Sequence, residues 1–64
     1  MFKVPKNQRL WVTRYDSKGN PKWVITSDMI RAKYYLYSCE GDSMTKVKVA
    51  DSPAAFEEEI GSPI

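Results

Sequence analysis

The sequence predicts an α+β domain: a small antiparallel sheet of about four strands, set as two hairpins, with one short C-terminal helix. Three observations predict it. Residues 9–15 and 22–26 are rich in β-branched and aromatic residues and flank a loop dense in turn formers, DSKGNP. Within residues 34–49, YYLYSCEGDSMTKVKV, two apolar-polar alternating runs flank Gly41-Asp42. Near the C-terminus, DSPAAFEEEIG carries a full set of helix start and stop signals.

In the first hairpin the register has two readings. With Tyr15 facing Lys22, the residues Leu10, Val12, Trp23 and Ile25 share one face. A bulge at Gly19 groups Trp11, Tyr15, Trp23 and Ile25 instead, because a one-residue slip exchanges faces. Residues 27–32 then read as a helical turn with Ser27 as N-cap, and Met29 or Ile30 plugging the core. Ile30, Tyr34 and Tyr37 also have helical spacing, so residues 28–38 have a rival reading as one amphipathic helix. A strand from Lys33 is preferred because the tyrosine run is β-prone and a turn follows it directly.

Gly41 suits the first central position of a two-residue II′ loop, which needs φ > 0. Pairing Glu40 with Ser43 then sets Tyr37 opposite Lys46 and Tyr35 opposite Lys48. Tyr34, Leu36, Val47 and Val49 become the core face, while Tyr35, Tyr37, Cys39, Met44, Lys46 and Lys48 face the other way. In the helix, Ser52 is the N-cap, Pro53 the first helical residue and Gly61 the stop, with Phe56 and Ile60 on one face as anchors. About eight helical residues are too few to hold without tertiary packing. The organisation that follows is a basic arm (1–8), one domain (9–61) and a short tail (62–64).

With 64 residues the chain buries only about 60% of its unfolded surface, so its core is thin. Residues 1–48 hold all ten basic residues against four acidic ones, a net +6, and residues 49–64 hold four acidic residues and no base, a net −4. The split reads either as two differently charged faces or as an acidic helix neutralising a basic sheet. No histidine is present, and Cys39 is the one cysteine, so no internal disulfide, cysteine metal site or histidine base is available. A lone thiol, with no apolar run near the roughly 20 residues that span a bilayer and no signal-peptide pattern, points to the cytoplasm.

No glycine-rich phosphate loop or metal-ligand cluster is present, so the expectation is a binding protein without catalysis, cofactor or metal. The first reading is a protein-binding module, a small adaptor or inhibitor, with a homodimer as one form of it. By analogy of size alone it fits the small products of phages and mobile elements. Trp11, Tyr15, Trp23 and Tyr35 are the anchor types that dominate interfaces, and the acidic Glu57 and Glu58 offer a face for a basic groove. The alternative is nucleic-acid binding, with Tyr35 and Tyr37 stacking bases and Lys46 and Lys48 meeting phosphates. Arg9, Arg14, Lys18 and Lys22, with Lys3 and Lys6 of the arm, extend that basic field. Set against both is the ordinary use of Tyr and Lys on an exposed sheet, and of a glutamate run as a solvated helix face.

Overall fold

The computed structural model describes residues 4–64, so the arm's Lys3 lies outside the described residues. Four strands, β1 (Arg9–Tyr15), β2 (Pro21–Asp28), β3 (Lys33–Glu40) and β4 (Ser43–Ala50), form one antiparallel sheet in the order β1-β2-β3-β4. A 3-10 turn (Pro53–Phe56) runs directly into α1 (Glu57–Ile60), giving the short C-terminal helix that the sequence predicts.

Local chemistry fixes each connection. After β1, Asp16 Oδ1 accepts the backbone N–H groups of Lys18 and Asn20, each at 2.9 Å, and Gly19 takes φ +85°. Between β3 and β4, Gly41 has φ +58° and Glu40 pairs with Ser43, as expected of a II′ loop. The Ser52 hydroxyl caps the helix by accepting from Ala54 N–H, Pro53 occupies the first turn, and Gly61 ends α1 at φ +82°.

The β2–β3 connection differs from the expectation. β2 continues to Asp28, and residues 29–32 make a tight turn instead of a helix. Asp28 Oδ1 accepts from Ile30 N–H (3.0 Å) and Arg31 N–H (3.2 Å), and Ala32 reverses the chain at φ +54°. The aspartate that looks like a helix-start residue caps a turn by the same chemistry. Met29 and Ile30 therefore point away from the core and are 71% and 81% exposed.

Register decides which side chains meet. In the first hairpin the bulge falls at Trp11, with a second irregularity at Lys22, and not at Gly19. Val12, Trp23 and Ile25 gather on the helix side, while Leu10 sits opposite Thr26 and stays half exposed. In the second hairpin Tyr37 faces Lys46 as expected, but Val47 is then an extra residue in β4. Beyond it Leu36 faces Lys48, Tyr35 faces Val49 and Tyr34 faces Ala50. The bulge corrects three expectations: Lys48 joins the helix side, and Val47 and Val49 are half exposed rather than core.

The sheet is buried on both faces at its centre. On the helix side Ile25, Leu36 and Phe56 are fully buried, and Val12, Trp23, Tyr34, Ala50, Ile60 and Ile64 pack around them. On the other side Val24, Tyr35 and Tyr37 form a second cluster with Cys39 and Met44. That is why Val24, Ile25 and Thr26 are consecutive and all buried, the pattern of a strand covered twice. The flanking segments take part: Gln8 bonds to the sheet, Ile64 packs in the helix-side cluster, and the Pro63 carbonyl accepts from Arg14 at 3.2 Å.

Candidate partner-binding surface

The nine residues expected to form a binding surface are dispersed by the fold. Trp11 is half exposed at the start of edge strand β1 and meets Tyr34 edge-on, with ring centroids 5.9 Å apart. Tyr15 is exposed at the far end of β1, and Trp23 is half-buried against the helix-side core. Glu58 is exposed, and Glu57 Oε2 accepts from Ile64 N–H at 3.4 Å.

Tyr35 and Tyr37, expected on an open face, are only 5% and 6% exposed. Each ring is buried while its hydroxyl finds a partner, which is how a core admits tyrosine. Tyr37 Oη donates to Gln8 Oε1 at 2.8 Å, an oxygen that also accepts from the Thr26 hydroxyl at 2.6 Å. Tyr35 Oη donates to Asp28 Oδ2 at 2.9 Å. Lys46 stays beside them, its ammonium 5.0 Å from the centre of the Tyr35 ring. Lys48 leaves this group altogether: its ammonium donates to Glu59 Oε1 at 3.0 Å and to the Ala55 carbonyl at 3.2 Å, tying β4 to the helix. Here the acidic helix does neutralise part of the basic sheet.

Asp28 is the electrostatic centre of the turn. Its carboxyl is held below the usual range, first by the Arg31 backbone N–H, then by the Tyr35 hydroxyl, the Ile30 N–H and the charge of Arg31, 3.7 Å away, with burial pulling the other way. A depressed folded value means the stabilisation is complete above the ordinary aspartate value of 3.8 and is lost as pH falls through the folded value. Asp28→Asn should therefore be less stable than the wild type at neutral pH, and the gap should close on acidification. Urea melts at pH 7 and pH 3 measure this, and a gap that widens at low pH refutes it.

The surface that sequence reasoning missed lies around this turn. Among the described residues Met29 and Ile30 are the most exposed large apolar side chains, and the register of Arg9 with Ser27 brings the start of β1, with half-exposed Leu10 and Trp11, to the same end of the sheet. Exposed Arg9 and Arg31 stand beside them. The available signal was Asp28 followed by two residues that its carboxylate can cap.

At the opposite end of β2, a cavity of about 380 Å³ opens between the β1–β2 hairpin and the helix, lined by Arg14, Tyr15, Asp16, Lys22, Trp23 and Ile60 among others. Burial pushes the Cys39 thiol up, away from the reactive thiolate. Among the described residues no group of three or more His, Cys, Asp or Glu is placed to hold a metal ion, and no helix is long and apolar enough to cross a membrane.

Fold and surface together define a four-stranded antiparallel meander, backed by one short helix, with exposed apolar side chains concentrated at one end. Comparison of the chain with protein-family models, curated proteins and solved structures gives no match.

Proposed function

We propose that this chain is a non-catalytic protein-binding module, a small adaptor or inhibitor. The observation that carries the reading is the braced turn, where Met29 and Ile30 project at 71% and 81% exposure at the same end of the sheet as Leu10 and Trp11. Large exposed apolar side chains gathered at one end of a small protein mark interaction sites. The hydrogen bonds to Asp28 hold the turn in one shape, so little ordering cost remains when a partner binds. Trp11 is a preferred anchor type, and exposed Arg9 and Arg31 fit a partner groove with an acidic rim. The lone thiol Cys39 suits a reducing compartment such as the cytoplasm.

Pairing with a second copy through the sheet edges is disfavoured by charge. Edge strand β1 carries Arg9 and Arg14, edge strand β4 carries Lys46 and Lys48, and neither has an acidic residue. The nucleic-acid alternative loses its stacking platform, because Tyr35 and Tyr37 are buried and Lys48 is engaged by Glu59.

The test is affinity capture from cell lysate on the wild type and on the double variant Met29→Ser, Ile30→Ser. Labelled random oligonucleotides are titrated in parallel at low and moderate salt. A protein retained by the wild type and lost by the variant supports the reading. Salt-sensitive oligonucleotide binding at micromolar concentration, with no such protein, sinks it.

A further inference from the structure

The cavity at the far end of β2 from the turn has a chemistry of its own. Arg14 and Lys22 supply two cations, while Tyr15, Trp23 and Ile60 supply apolar wall. Asp16 is the one acidic residue in the lining, and its Oδ1 already accepts two backbone N–H groups. Arg14 is tethered through one terminal nitrogen to the Pro63 carbonyl at 3.2 Å, which holds the guanidinium in place. Its Nε is buried with no hydrogen-bond partner among the described residues. A held guanidinium with donors to spare, next to a lysine, matches a carboxylate.

Size and access narrow the ligand. At about 380 Å³ the cavity lies near the low end of ligand sites, which run from about 300 to 1,000 Å³, and suits one or two side chains better than a large cofactor. Tyr15, Asp16 and Lys22 are exposed, so a chain passing over the hairpin can reach it. The walls, with Trp, Tyr and Arg, are of the types that dominate protein interfaces. We infer that this cleft binds an acidic peptide segment of a partner protein. A Glu or Asp carboxylate sits on Arg14 and Lys22, and an adjoining apolar side chain packs on Trp23, Tyr15 and Ile60. The cleft shares no residue with the Met29–Ile30 surface and does not depend on it.

The experiment is a 15N-resolved NMR titration of the full chain with the blocked dipeptide acetyl-Phe-Glu-amide. Acetyl-Phe-Gln-amide and inorganic phosphate are the comparison probes. The expected result is a saturable shift of the Trp23 indole N–H and of the Arg14 and Lys22 amides, while the Trp11 indole and the amides of residues 29–32 stay put. Loss of a charged hydrogen bond should make the glutamine peptide at least about tenfold weaker, and Lys22→Gln, at an exposed position, should weaken the glutamate peptide by a similar factor. Cross-peak dispersion confirms that the variant is folded. Equal affinity for the two peptides overturns the inference, as does an unchanged affinity in Lys22→Gln. So does a silent Trp23 up to about 10 mM peptide, a weak-binding limit, or phosphate reproducing the full set of shifts. A failed titration leaves the turn variants still to be read, so the two results are separable.

Discussion

Phe56→Ala is expected to cost about 3–5 kcal/mol, the usual loss for a fully buried phenylalanine. The ring is fully buried with Ile25 and Leu36, and it is the one fully buried side chain of the helical segment. The eight residues from Pro53 to Ile60 cannot hold a helix alone, so their order depends on this contact. Domains in general have only about 5–15 kcal/mol to lose, and one this small stands at the low end. The urea midpoint should therefore collapse, and the melting temperature should drop by roughly 20 °C or more. Glu58→Ala, on the exposed side of the same helix, should stay within about 0.5 kcal/mol of the wild type. Urea and thermal melts followed by Trp fluorescence and circular dichroism measure both. A Phe56→Ala protein that melts like Glu58→Ala would mean that the helix is not anchored to the sheet as described.

The double variant Met29→Ser, Ile30→Ser should do the reverse, leaving stability nearly untouched and removing binding. Both side chains are mostly in water, so their loss should shift stability by less than about 0.5 kcal/mol. As interface anchors they should together account for about 2–4 kcal/mol, a weakening on the order of a hundredfold. Calorimetric titration against the captured partner, with a urea melt of the free variant, separates the two effects. A partner held equally by variant and wild type would remove the main support for the proposed function.

The elements whose shape is set by neighbouring residues were legible in the sequence. Gly41 marks its loop, Asp16 and Gly19 mark theirs, and Ser52, Pro53 and Gly61 bracket the helix, because each acts through its own backbone or one a few residues away. The bulges at Trp11 and Val47 were not legible, since an extra residue in a strand leaves no mark in composition or alternation. The candidate surface failed for the same reason in part. Past Val47 the faces exchange, so Lys48 leaves the tyrosines and Val49 replaces it. Alternation alone sends Tyr35 and Tyr37 to the surface, because a hydroxyl tip looks solvent-bound until Asp28 and Gln8 are seen to accept from it. The usual fate of large apolar residues sends Met29 or Ile30 to the core, a tendency the Asp28 turn overrides. Trp11 and Tyr15, the aromatic anchors the sequence offers on β1, are both exposed.

The extra residue at Val47 also says something about the gene. A missense change there alters one side chain that is already half exposed, and little else. An in-frame loss of that single codon restores strict alternation and keeps Lys48 opposite Leu36, Val49 opposite Tyr35 and Ala50 opposite Tyr34, each on the side it already occupies. Lys48 would then still reach Glu59 and the Ala55 carbonyl, the contacts that tie the strand to the helix. At this one codon the coding sequence can be respelled or lost with the pairing of its neighbours intact, which makes it the most forgiving position of the strand.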